Sequence, residues 1–142
     1  MRKFIIIPLL FVFSMVYAQK TDSLVLVKNG KTQYSIVVQT NKADSAAKLL
    51  QTFVDTISGA SLPIIQGSSI KKECFVMTSD ESLFPTGQCD TIREDGFIIR
   101  TLNSNIFIFA INPAGYNNAV YYFLEHGLSC RFYAINAMVM PK

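Results

Sequence analysis

A chain of 142 residues, half of them hydrophobic and 16% charged, is long enough for one domain with a real core and too apolar to be a disordered segment. Its net charge of +3 comes from 13 basic and 10 acidic residues with no basic run among them, so a nucleic-acid partner is not implied. Three cysteines are too few for a disulfide framework and leave one over.

The chain opens as an export signal. Met1-Arg2-Lys3 is a basic start, Phe4 to Tyr17 is an almost wholly apolar run, and Val16-Tyr17-Ala18 places small residues at −3 and −1 before Gln19. Cleavage is expected after Ala18, which makes residues 1–18 a signal peptide and residues 19–142 a secreted or periplasmic domain. The run is shorter than the ~20 apolar residues that span a bilayer, so no membrane attachment is expected after cleavage. Without Arg2 and Lys3 the basic and acidic residues nearly balance.

Leu24 to Lys28 and Tyr34 to Val38 are β-rich runs joined through Asn29-Gly30, a strong hairpin signal because both turn positions must accept positive φ. Asn41 is placed to cap a helix, with Asp44 in its first turn. Ala43, Ala46, Ala47, Leu50, Phe53, Val54 and Ile57 recur at helical spacing, and Gly59 ends the pattern. Pro63 keeps the chain extended. Glu73 to Thr78 reads as a strand, and Ser79 to Thr91 as a polar loop. Phe97 to Arg100 and Ile106 to Ile111 read as a second hairpin, turning at Asn103-Ser104-Asn105. Both strands are apolar on both faces apart from Arg100, which suits the middle of a sheet.

Asn112-Pro113 begins a second helix with an Asn cap and Pro at its first position. Tyr116, Ala119, Val120, Phe123 and Leu124 form its apolar stripe, Gly127 is the expected stop, and Cys130 to Tyr133 is a last strand. The order β-β-α-β-β-β-α-β, rich in hairpins, predicts an α/β sandwich: a mixed, mainly antiparallel sheet with two helices packed on it. Cys74 and Cys130 read as small core residues, with a Cys74–Cys89 bridge an open alternative.

Two segments carry a resemblance. "AAKLLQTFVDTISGASLPII" (Ala46 to Ile65) and "AGYNNAVYYFLEHGLSCRFYAINAMVMPK" (Ala114 to Lys142) resemble the helix-and-turn and the closing helix and strand of a known accessory domain. It is the non-catalytic N-terminal α/β domain that precedes the barrel in secreted alpha-glucuronidases and beta-N-acetylhexosaminidases. The resemblance implies support of, or contact with, a (β/α)8 catalytic domain in carbohydrate breakdown, and no cofactor. In such proteins the barrel supplies the catalytic carboxylates, and here Pro141-Lys142 falls about where a barrel would begin. Two alternatives stay open: a truncated remnant of a glycosidase, and a free-standing periplasmic module that binds a carbohydrate or a protein.

Candidate chemistry is sparse. Asp80-Glu81 and Glu94-Asp95 are adjacent carboxylates, whereas glycoside hydrolysis needs two acids roughly 5–10 Å apart across the scissile bond. Both pairs flank turns and read as solvated acids. His126, the only histidine, lies in a last helical turn with no metal-ligand or triad spacing around it. Arg131 reads as an arginine paired with a carboxylate or, alternatively, as a bidentate contact to a sugar acid. Tyr121 and Tyr122 lie largely off the apolar stripe, and are candidates for a domain contact or a sugar platform. No catalytic residue, cofactor or metal ligand is assigned.

Overall fold

The computed structural model describes residues 24–134 and 137–139. The expected signal peptide lies outside them. The elements are β1 (Ser35–Val38), α1 (Asp44–Ser58), β2 (Ile64–Gln66), β3 (Cys74–Thr78), β4 (Phe97–Leu102), β5 (Asn105–Ala110), α2 (Pro113–Gly127), β6 (Arg131–Ala134) and β7 (Ala137–Val139). The first five strands form one sheet in the order β2-β1-β3-β5-β4, and β6 and β7 pair separately.

The α/β class, the mixed sheet and the two helices are as the sequence predicts, but the strand directions are not. The β2–β1, β1–β3 and β3–β5 pairings are all parallel, and only β4–β5 is antiparallel. The reason lies at the first turn. Asn29 and Gly30 do take positive φ (53° and 69°), yet the turn closes only a single bridge, Lys28 to Lys31. Leu24 to Val27 form no strand. Instead Leu24, Leu26 and Val27 pack on the core beneath the helices. With no hairpin partner, β1 takes neighbours that the chain reaches by crossovers, and crossovers give parallel pairs. β2, read only as extended chain, is one of them; the carbonyl of Pro63 just before it accepts from Ile36 N at 2.8 Å.

Two further expectations shift. β4 is the sheet's edge rather than its middle, and none of its residues is fully buried, whereas β5 beside it is buried from Ile106 to Ala110. Asn41 does not cap α1. It starts a short 3-10 turn, Asn41–Ala43, and Ala43 stands at the cap without a side-chain bond. Asn112 does cap α2, its Oδ1 accepting from Gly115 N at 2.9 Å, with Pro113 first in the helix. Gly59 ends α1 at φ 70°, as predicted. Gly127 lies within α2, where a Cβ would stand 3.0 Å from the Phe123 ring, which would have to give by a few tenths of an ångström. Ser129, at φ 58°, reverses the chain instead.

Alternation along the strands divides the core in two. Ile36, Val38, Phe75, Met77, Ile106 and Ile108 face α1 and α2, meeting Ala46, Ala47, Leu50, Val54, Tyr116, Val120 and Leu124. Val37, Cys74, Val76, Phe107 and Phe109 face the other way and are covered by Phe84 and Cys89 from the loop after β3. That loop holds two 3-10 turns, Glu81–Leu83 and Cys89–Thr91. Cys74, Cys89 and Cys130 are buried free thiols, so no Cys74–Cys89 bridge forms.

Candidate contact surface

The stripe Tyr116, Ala119, Val120 and Leu124 fixes how α2 sits, because all four are buried against the sheet. That rotation sends Tyr121 and Tyr122 sideways, where they are 40% and 48% exposed. Each ring leans on partners from other elements. Tyr121 stands edge-on to Phe132 of β6 (centroids 5.3 Å apart) and to Phe53 of α1 (6.4 Å), and Phe53 and Phe132 meet at 5.4 Å. Three elements thus close an aromatic triangle. Tyr122 stacks on His126 (4.0 Å, 18° between planes) and tilts against Phe97 of β4 at 5.5 Å. Beyond the triangle, Met138 and Val139 of β7 are 40% and 56% exposed. The result is a half-wet, half-apolar surface of the kind that tyrosine builds at contacts, with an apolar ring body and a polar tip.

His126 Nδ1 lies 3.0 Å from the carbonyl oxygen of Tyr122. A carbonyl only accepts, so Nδ1 carries the hydrogen and the ring is held in the stack. Arg131 is exposed, and its Nη1 donates to Glu125 O and to Cys130 O, both at 3.1 Å. These described partners are carbonyls near the end of α2 rather than the carboxylate expected, so Arg131 works as a cation at a helix C-terminus. It is offset from Tyr121 and Tyr122, since neighbours on a strand point to opposite faces and Phe132 is the residue that joins them.

The remaining titratable groups are placed for structure. The Asp80 carboxylate accepts from Ser82 Oγ at 2.7 Å and Ser82 N at 3.0 Å, which holds its pKa below the ordinary carboxylate value. A general acid needs the opposite shift. The backbones of Glu94 and Asp95 serve as acceptors for the amides of Asn112 and Asn118, pinning the loop to the start of α2. Burial pushes the Cys89 and Cys130 thiols up, away from the reactive thiolate. Tyr116 is buried and donates to Thr78 O at 2.7 Å, and burial pushes its pKa up to about 12. Among the described residues no group of three or more His, Cys, Asp or Glu side chains could hold a metal ion.

An apolar cleft of about 630 Å³ opens elsewhere on the helical layer, lined by Leu24, Val27, Ile57, Ile99, Phe123 and Leu128 among others, with no charged side chain among the described residues. Sequence reasoning missed the cleft because it assigned Leu24 to Val27 to a strand. It also missed Phe53, Phe97 and His126 as members of the aromatic surface. For Phe53 a signal existed: it sits one position short of Val54 on the stripe from Ala46 through Leu50, hence on the flank of α1.

No protein-family model matches the chain, and no curated protein matches it. Among solved structures it is similar to a GH20 exo-beta-N-acetylglucosaminidase from Vibrio harveyi, solved in complex with N-acetylglucosamine. The identity is 19% and the TM-score 0.48, over 64% of this chain and 12% of that one.

Proposed function

We propose that this chain is a non-catalytic accessory domain of carbohydrate breakdown, exported with its signal peptide removed after Ala18. Its aromatic face on α2 contacts a catalytic domain. The observation that carries the reading is the arrangement of Tyr121 and Tyr122. Both remain 40% or more exposed although packed neighbours fix their rings. Rigid, half-buried tyrosines lose little entropy when covered, which is what a contact surface needs. The two sequence segments that resemble the accessory domain of alpha-glucuronidases and beta-N-acetylhexosaminidases include this helix and give the partner its class, a (β/α)8 barrel. On this reading the chain belongs with a barrel, whether as part of a longer enzyme, as a remnant of one, or in association with a separate chain.

The test is an apolar dye titration of the purified protein against the Tyr121→Ser/Tyr122→Ser variant. An open contact face binds dye, and the double variant should lose about half or more of the signal at unchanged far-UV circular dichroism. Equal dye binding by the two proteins would rule out the α2 face as the contact.

A second reading has one specific observation in its favour. The Tyr122–His126 stack presents a flat, half-exposed ring that a sugar could lie against, as a free-standing carbohydrate-binding module would require. Neutral oligosaccharides should then bind the parent protein and not Tyr122→Ala.

A further inference from the structure

The fold gathers lysines that the sequence keeps some forty positions apart. Lys28 and Lys31 face each other across the Asn29–Gly30 turn, joined by Lys28 N to Lys31 O at 2.8 Å and Lys31 N to Lys28 O at 3.1 Å. β1 and β3 run parallel, so both begin at the same end of the sheet, and Ser35 N donates to Glu73 O at 3.1 Å. Lys71 and Lys72 immediately precede Glu73, and all four lysines are exposed. Glu73 in turn lines a hollow of about 440 Å³ together with Lys28, Lys31, Asn29 and Gln33, with Val25 and Leu26 supplying an apolar part of its wall.

Two features set this end apart from an ordinary solvated surface. Like charges directly opposite on paired strands repel, and the two-residue turn holds Lys28 and Lys31 in that relation. Among the described residues Glu73 lines the hollow beside Lys28 and Lys31, one carboxylate against four lysines, and a larger group of acids lies at the other end of the sheet. Asp80, Glu81, Asp90, Glu94 and Asp95, half of the chain's 10 acidic residues, lie in the loop between β3 and β4. That loop leaves the carboxyl end of β3 and returns at Phe97, which pairs with Ala110 at the carboxyl end of β5. The sheet therefore has a basic end and an acidic end.

We propose that Lys28, Lys31, Lys71 and Lys72 form a docking site for an acidic glycan, a chain of carboxylated or sulfated sugars. The inference extends the accessory-domain reading and takes from it that the ligand is a carbohydrate. Four ammonium groups match the anionic substituents, whose charge would relieve the repulsion between Lys28 and Lys31. The amides of Asn29 and Gln33 and the Glu73 carboxylate suit sugar hydroxyls. Among the described residues no aromatic side chain lines the hollow, so these residues offer no platform for the bases of a single-stranded nucleic acid.

The test is affinity electrophoresis of the protein purified after expression of the full 142-residue chain. The gels contain polygalacturonate, chondroitin sulfate or neutral dextran. Both acidic polymers should retard the protein and dextran should not. Retardation by polygalacturonate should weaken about ten-fold or more in the Lys28→Gln/Lys31→Gln/Lys71→Gln/Lys72→Gln variant, and equally on raising the salt from about 0.05 to about 0.5 M. Lys28→Glu gives a sharper sign. It turns the cross-turn repulsion into attraction, so it should raise the melting temperature while weakening retardation. Unchanged retardation of the fourfold variant overturns the proposal, as does equal retardation by dextran. Equal binding to vesicles of anionic phospholipid or to single-stranded DNA also overturns it, by showing a patch without preference for sugars. Retardation that depends on Tyr121 and Tyr122 instead overturns the lysine site and supports the sugar-platform reading, so the two can be told apart.

Discussion

The two faces of the sheet are covered by different means. On one face lie α1 and α2, each of 15 residues, whose backbone groups are mostly satisfied within the helix itself. On the other lies a loop with two isolated 3-10 turns, whose short local bonds are joined to the rest of the molecule by separate ties. Arg100 Nη1 donates to Leu83 O, Asp80 N donates to Thr78 Oγ1, and Asn112 and Asn118 donate to Glu94 O and Asp95 O. A helical cover fails only when its packing fails. A loop cover can be released one tie at a time, which puts it at the low-stability end of the molecule.

The largest expected effect separates the two covers directly. Phe75 is fully buried under the helices, with its ring 5.1 Å from Phe123 and 5.8 Å from Tyr34. Phe75→Ala should cost about 4 kcal/mol in urea denaturation and loosen the whole domain together. Phe84 is also buried, but it comes from the loop and has Phe109 beside it at 5.6 Å. Phe84→Ala should cost only about 2 kcal/mol, because the loop can settle into the gap. Limited proteolysis should then cut Phe84→Ala within residues 79–96 before global unfolding, and Phe75→Ala throughout. Equal losses with the same cleavage pattern would break the distinction between the faces.

Next in size is the point where the two covers meet. Gly115 lies in the first turn of α2, and a Cβ there would stand 2.6 Å from Gly96 O and 2.8 Å from Ala110 Cβ. Neither neighbour is a flexible side-chain end, so the loop and the helix start must move apart. Gly115→Ala should therefore cost about 2 kcal/mol. Amide exchange should rise at the end of the loop and in the first turn of α2 together. Exchange rising in one cover alone would show that the two are less tightly joined than this glycine implies.

How much of this was legible in the sequence follows the same division. Both helices were readable, because Ala46, Leu50 and Val54, and Tyr116, Val120 and Leu124, repeat at the spacing of one helical face. The β4–β5 hairpin was readable from Asn103-Ser104, which take φ of 50° and 65° as a tight turn requires. Strand direction was misread, although Ile36-Val37-Val38 and Cys74 to Met77 carry the two-sided apolar run that marks parallel strands. The Asn29-Gly30 turn outweighed that signal locally. The loop cover was illegible, since Phe84 and Cys89 sit among polar residues with no period. Tyr121 and Tyr122 could be placed off the stripe of α2, but their neighbours Phe53, Phe97 and Phe132 come from three other elements, which only the tertiary fold brings together. The lysine cluster was hidden for the same reason.

The smallest expected effects concern pH, and here the two faces should fail at opposite ends of the scale. Tyr116 belongs to the helical face, and burial raises its pKa from 10.0 to about 12. A raised phenol stabilises the fold in its neutral form, so the contribution is present below pH 10 and is lost as the pH rises toward 12. Tyr116→Phe removes the bond to Thr78 O and should cost about 1 kcal/mol at neutral pH. It should also flatten the alkaline loss seen in urea melts of the parent. Asp80 belongs to the loop, fully exposed, and its bonds to Ser82 lower its pKa below 3.8. A lowered carboxylate contributes above pH 3.8, and its contribution is lost as the pH falls through the depressed value. Pepsin cleavage within residues 79–96 should therefore rise in that acid range for the parent. Asp80→Ala should be cut more readily at the upper end of pepsin's working range, with a weaker pH dependence, because Ser82 N has already lost its acceptor. If acid instead opened the helical face first, the loop's ties would be stronger than its exposure suggests, and the ranking of the two covers would reverse.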